Sequence, residues 1–130
     1  MVSLSSCIAL SLLVHVGSVH TEPGHNNTNP GLGLSCAYSE SVSLSAGVFY
    51  NSQRRPSAYV SAEYSVPLVW DTRIGVVVGA ATGYDLAPVV PTAGIALHGP
   101  EMVGIRASVV SIPGTKWNAG VSHLVLSKQF

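Results

Sequence analysis

The sequence predicts an all-β fold, an eight-stranded antiparallel transmembrane β-barrel. Three observations predict it. Segments with period-two alternation recur along the chain, each of about nine to eleven residues, the length that crosses a bilayer at a tilt. Charged residues make up only 9% of the 130, against roughly 25% in an ordinary soluble domain. The last alternating segment ends on the aromatic Phe130, and a sheet in lipid must close because an unpaired edge is not tolerated there.

The first segment, Leu10 to His20, sets Leu12, Val14, Val16 and Ser18 against Leu13, His15, Gly17 and Val19. This stretch also has the look of a signal-peptide apolar region, with Val16-Gly17-Ser18 before a cleavage site, but no Lys or Arg precedes it. The strand reading is adopted. It makes residues 1–9 an N-terminal segment, the remnant of an export signal, and residues 10–130 a single barrel. The second segment, Gly31 to Tyr38, sets Leu32, Leu34, Cys36 and Tyr38 against Gly33, Ser35 and Ala37. The third is the clearest: Val42, Leu44, Ala46, Val48 and Tyr50 oppose Ser41, Ser43, Ser45, Gly47 and Phe49.

The fourth segment, Ser57 to Val66, opposes Ala58, Val60, Ala62 and Tyr64 to Ser57, Tyr59, Ser61 and Glu63. The fifth, Trp70 to Gly83, opposes Thr72, Ile74, Val76, Val78 and Ala80 to Arg73, Gly75, Val77, Gly79 and Ala81. The sixth, Val90 to His98, is less regular. The seventh, Met102 to Ile112, sets Val103, Ile105, Ala107 and Val109 against Gly104, Arg106 and Ser108, and the eighth runs from Trp117 to Phe130. The continuous apolar faces are expected to meet lipid. The small and polar faces, with Glu63, Arg73 and Arg106, are expected to fill the lumen, the inverse of a soluble barrel. Glu63 is expected to pair with Arg73 or Arg106. Gly47, Ser45, Gly75 and Gly79 are expected to leave room for an acyl chain.

Connections alternate in length. Thr21 to Pro30, Asn51 to Pro56, Tyr84 to Pro88 and Pro113 to Lys116 are the longer, polar ones. Ser39-Glu40, Pro67-Leu68-Val69 and Gly99-Pro100-Glu101 are the tight turns. This asymmetry matches outer-membrane barrels and puts His20, Asn51, Ser52, Tyr84 and Asp85 at the extracellular rim.

Six basic and six acidic residues give zero net charge, which argues against a nucleic-acid partner. No histidine pair has metal-ligand spacing, and no cofactor motif occurs. Cys7 and Cys36 show no metal spacing either. An oxidising compartment would permit a disulfide between them, and two buried or lipid-facing thiols is the other reading.

Four stretches, in this order, resemble the lipid A palmitoyltransferase (PagP) family. They are Gly24-His-Asn-Asn-Thr-Asn-Pro-Gly-Leu-Gly-Leu34, Gly47-Val-Phe-Tyr-Asn-Ser52, Thr82-Gly-Tyr-Asp85 with Pro88-Val-Val-Pro91, and Ile112-Pro-Gly-Thr115 with Asn118-Ala-Gly120 and Phe130. The resemblance implies an eight-stranded barrel in the outer membrane of a Gram-negative bacterium. It implies transfer of a fatty acyl chain from a phospholipid to lipid A or a related acceptor. The family's catalytic His falls on His20, and its Asp-Ser pair on Asn51-Ser52. An Asn cannot supply the negative charge that stabilises an imidazolium, so the Asp role is not carried over. Asp85 is another rim carboxylate. By the same resemblance Pro30, Pro88 and Pro113 mark a lateral lipid gate, since Pro lacks the N–H a ladder needs. Arg54 and Arg55 beside Ser52 are placed to contact a headgroup phosphate. Expected partners are membrane lipids, both phospholipid and lipopolysaccharide, and the outer-membrane assembly machinery, reached through Phe130. The barrel is expected to be a monomer. The alternative is a non-catalytic barrel with a structural, lipid-binding or surface-recognition role.

Overall fold

The computed structural model describes residues 7–21, 23–85, 87–113 and 120–130. Its strands are β1 (Ala9–His20), β2 (Thr28–Ala37), β3 (Val42–Tyr50), β4 (Pro56–Pro67), β5 (Arg73–Thr82), β6 (Val89–Met102), β7 (Ile105–Ile112) and β8 (Val121–Gln129). They form one closed barrel in sequence order, with every neighbouring pair antiparallel. Closure is made by β8 pairing back onto β1, from Ser11↔Gln129 to His20↔Val121. Closure leaves no edge strand, so the ladder satisfies its own backbone groups.

The barrel is inside out by soluble standards. Val48, Val60, Val76, Val78, Leu32 and Leu97 all point outward and are more than half exposed. Among the described residues the buried hydrophobics are only Cys36, Ala81, Ala96 and Val125. The largest fully buried side chains are Asn29, Asn51 and Ser57. A continuous apolar wall around the whole girth would be an aggregation liability in water, whereas in hydrocarbon it costs nothing.

The alternation read from the sequence holds through β2, β3, β4 and β5. It breaks inside β1. There the ladder shifts between His15 and Gly17: against β8 Val16 is the extra residue of a bulge, and against β2 the extra residue lies on β2, between Gly31 and Thr28. Past it the faces exchange: Ser18 and His20 join His15 on the lumen side, and Val19 is 71% exposed. The expected grouping of Ser18 with the apolar face is therefore wrong by one residue of bulge. A second bulge, between His98 and Glu101, carries β6 on through Gly99-Pro100. The tight turn expected at Gly99-Pro100-Glu101 is instead at Val103-Gly104, both with positive φ (54° and 77°). A proline is tolerated at a bulge because the ladder there asks for no N–H. The β4–β5 turn also differs. It centres on Trp70-Asp71, with φ of 54° and 57°, and is closed by Leu68 N–H to Thr72 O and Thr72 N–H to Val69 O. Hairpins favour such positive-φ pairs because their twist matches that of the strands. Without glycine or asparagine at either site, the sequence gives little sign of it.

Glycines in the wall make room for the protein's own side chains. A Cβ on Gly33 would run into the Tyr59 hydroxyl, and one on Gly47 would come within 2.9 Å of the Tyr59 ring. A Cβ on Gly75 would meet the Glu63 carboxylate, and one on Gly79 would meet Ser61 Cβ at 2.9 Å. Part of the space expected for an acyl chain at Gly47, Ser45, Gly75 and Gly79 is thus taken by Tyr59, Glu63 and Ser61, and Ser45 lines the cavity that remains. Cys7 and Cys36 form a disulfide that ties the chain ahead of β1 to β2. The expected start of the eighth strand at Trp117 lies outside the described residues, as do residues 1–6 of the N-terminal segment.

Candidate functional site

A cavity of about 400 Å³ runs down the lumen. At the long-loop end it is lined by Ser18, His20, Asn29, Ser52 and Tyr84, and at the short-turn end by Glu40, Arg73 and Arg106.

His20 ends β1 at the long-loop rim. Its Nδ1 lies 2.7 Å from Asn27 Oδ1, and its ring stacks on His25 with centroids 4.6 Å apart. A carboxamide oxygen only accepts, so Nδ1 carries the proton and Nε2 of the neutral ring is left as a base. Asn27 therefore orients the imidazole, the part that the family resemblance gives to the residue aligned with Asn51. It was missed because several asparagines crowd the loop from Asn26 to Asn29. Ser52 lines the same cavity, and its backbone carbonyl accepts from Asn26 N–H at 2.9 Å. His20 and Ser52 both line the lumen cavity, and no hydrogen bond joins them.

Asn51 is wholly buried and fully engaged. Its amide donates to Ser57 Oγ at 2.9 Å and to Gly83 O at 2.8 Å. Its Oδ1 accepts from the N–H groups of Gln53 at 2.8 Å and Arg55 at 3.1 Å. Two donors and two lone pairs are all used, so nothing remains for His20. Asn51 is the knot that joins the β3–β4 and β5–β6 loops. Arg55 forms an ion pair with Asp85, whose N–H also donates to Gln53 Oε1 at 2.8 Å. Arg54 is exposed at the turn, with φ of 59°. Burial pushes the Tyr84 hydroxyl above its ordinary pKa, and a hydrogen bond with Ser57 partly offsets this.

The three prolines expected to mark a lipid gate, Pro30, Pro88 and Pro113, are exposed. Pro30 lies in β2 opposite the β1 bulge, where pairing skips from Gly31 to Thr28. Pro88 directly precedes β6 and Pro113 directly follows β7. Among the described residues β6–β7 pairing starts only at Ile95↔Ser111, so the first residues of β6 pair with β5 alone.

Two polar arrays cross the lumen, and the sequence reading grouped neither. In the first, His15 Nδ1 is 3.0 Å from His123 Nε2 and His15 Nε2 is 2.6 Å from Tyr59 Oη. Phe49 packs against all three rings at centroid distances of 5.7 to 5.8 Å. In the second, His98 bridges Glu63 and Ser108. The partner of Glu63 is therefore His98, in place of the expected arginine. Arg73 instead bonds Glu40 O at 2.6 Å and Ser65 Oγ at 3.1 Å. Arg106 bonds Gly99 O at 2.7 Å and reaches Asp71. Inward parity on six different strands was the available signal, but the register that joins those strands was not legible.

No protein-family model and no curated protein matches the chain. Solved structures do match. A de novo designed transmembrane β-barrel superposes with a TM-score of 0.73 at 20% identity, covering 94% of this chain and 95% of its own. The designed barrel TMB2.3, a solution NMR structure, gives 0.74 at 15% identity, with 98% of each chain covered. The N-terminal β-barrel domain of Pseudomonas aeruginosa OprF gives 0.66 at 12% identity, covering 94% of this chain and 97% of that one. The fold is that of a small transmembrane β-barrel of the outer-membrane type. At these identities the likeness extends to the fold alone.

Proposed function

We infer that the chain is an outer-membrane barrel whose chemistry sits at the long-loop rim: transfer of a fatty acyl chain from a phospholipid to lipid A or a related acceptor. The observation that carries this reading is that His20 and Ser52 both line the lumen cavity from long-loop-rim elements, with His20 oriented by Asn27 so that Nε2 is a free base. An imidazole positioned by a carboxamide is a known way to activate a hydroxyl or thiol nucleophile. Supporting it are Arg54 at the rim, for a headgroup phosphate, and irregular pairing beside Pro30, Pro88 and Pro113, for sideways entry of lipid. The resemblance to the lipid A palmitoyltransferase family belongs to this reading. So do a monomeric state, phospholipid and lipopolysaccharide as partners, and assembly through Phe130.

A second reading, a non-catalytic barrel with a structural, lipid-binding or surface-recognition role, is favoured by one observation. Asn51 is spent on loop structure, and Ser52 has no hydrogen bond to His20. The experiment that separates the two refolds the chain in detergent with labelled phospholipid and lipid A. Acyl transfer that is lost in both His20→Ala and Ser52→Ala supports the enzyme. A folded barrel that transfers nothing leaves the second reading.

A further inference from the structure

The lumen holds a three-residue array that neither closure of the barrel nor the rim chemistry uses. His98 on β6 has Nδ1 2.7 Å from Ser108 Oγ on β7 and Nε2 2.6 Å from Glu63 Oε2 on β4. An ionised carboxylate only accepts, so in the neutral ring Nε2 carries the proton. Nδ1 is then the base, and the Ser108 hydroxyl donates to it. Both ring nitrogens are held, which fixes the imidazole in one orientation. The Gly75 backbone leaves the space that the Glu63 carboxylate occupies. Ser108 is only 6% exposed yet still lines the cavity, together with His98 and Glu63. A hydroxyl shielded from bulk water but open to a cavity is where a base has most effect.

We propose that Ser108 is an activated nucleophile toward small carboxylic esters that enter the lumen, with His98 as general base and Glu63 as its positioning residue. The order of the ring nitrogens is the reverse of the usual serine triad, where the carboxylate holds Nδ1. The ester must be small because the cavity of about 400 Å³ is shared with the protein's own side chains, and the wall mixes hydroxyls (Ser43, Ser61, Ser65 and Ser127) with the apolar Val77, Val110 and Val125. This site is separate from the rim and does not depend on the acyl-transfer reading.

The step balances without a cofactor. Ser108 Oγ bonds to the ester carbon while its proton passes to His98 Nδ1. The ester C–O bond breaks, and the departing alkoxide takes that proton as alcohol. Water then attacks the acyl-serine, again giving a proton to His98, and releases the acid and the free hydroxyl. The backbone N–H groups of the strands are committed to the ladder, so negative charge on the tetrahedral oxygen falls to side-chain hydroxyls. Turnover is accordingly slow, and covalent capture is the more sensitive measure.

The test refolds the full chain in detergent micelles, checks closure by heat-sensitive gel mobility, and exposes it to a small fluorophosphonate. Peptide mass spectrometry then locates the phosphonyl group. A positioned base is worth 100-fold or more, so Ser108 is expected to label roughly 100-fold faster than Ser43 or Ser61 in the same molecules. Labelling is expected to fall in Glu63→Gln, and hydrolysis of p-nitrophenyl acetate to vanish in Ser108→Ala. Equal labelling of all lumen serines overturns the proposal, as does labelling of Ser52 in place of Ser108. The comparison among serines of one molecule stands even where a variant fails to fold.

Discussion

The phenolic oxygen of Tyr59 lies 2.6 Å from Nε2 of His15, and the two rings meet edge to face. This contact joins β4 to β1 across the middle of the lumen. It does so because Gly33 and Gly47 strip the intervening wall of side chains. The first prediction follows from it. Tyr59→Phe leaves the His15 nitrogen without a partner and should cost about 1–3 kcal/mol. Tyr59→Ala also empties the ring site and should cost about 3–5 kcal/mol. Urea unfolding of the barrel in lipid vesicles checks both.

The same site couples to its glycines. Gly47→Ala places a Cβ 2.9 Å from the Tyr59 ring and 2.7 Å from Gly33 Cα, and overpacking of this kind costs about 1–3 kcal/mol. Combined with Tyr59→Ala, the loss should be smaller than the sum of the two, because one of the clashes is gone. It should not reach zero, because the Gly33 backbone stays. A double-mutant cycle in the unfolding assay reads the difference.

Asn51 supplies a prediction against its alignment with a catalytic carboxylate. Asn51→Asp removes the donors to Ser57 Oγ and Gly83 O and faces an anion toward that carbonyl. It should destabilise the barrel by about 1–3 kcal/mol, raise protease sensitivity in the β3–β4 loop, and confer no gain in acyl transfer. Limited proteolysis and the transfer assay test this together.

The strand faces were legible in the sequence wherever period-two alternation ran unbroken, as from Val42 to Tyr50 and from Ile74 to Ala81. The elements misplaced were the β4–β5 turn, whose Trp70-Asp71 pair carries no glycine or asparagine, and those where one residue changes the parity, at Val16 and at Gly99-Pro100. A bulge is set by neighbouring strands and leaves no local composition signal. The rim position of His20 and Ser52 was legible from loop lengths. The role of Asn51 was not, because a buried amide satisfied by four groups from two loops and β4 is a property of the fold. Glu63, with only the arginines in view as cations, drew the wrong partner. On β5 Glu63 pairs with Val77 and His98 with Arg73, so the two meet diagonally over Gly75, which lies between those positions and has no side chain, and only the barrel's register discloses that arrangement.

At the short-turn end Asp71 links two hairpins. Its carboxylate is held below the ordinary range, first by the hydrogen bond from Glu101 N–H and then by Arg106, against a small opposing effect of desolvation. A carboxyl depressed on folding stabilises fully above its unfolded pKa, and that contribution is lost as pH falls through the folded value. Asp71→Asn should flatten the acid limb of the stability profile in that window and leave the neutral region little changed. Unfolding midpoints measured across acid pH decide it, and an unchanged acid limb counts against the link.

The central claim is that the barrel's apolar wall faces lipid. Val78 lies in the middle of β5, points outward and is 53% exposed. The direct measurement is quenching of a single tryptophan by brominated lipids, using Val78→Trp in a chain that also carries Trp70→Phe and Trp117→Phe. The account predicts the strongest quenching when the bromines lie near the bilayer centre, with weaker quenching from shallow bromines. No quenching, or quenching only from bromines near the headgroups, contradicts a membrane-spanning barrel.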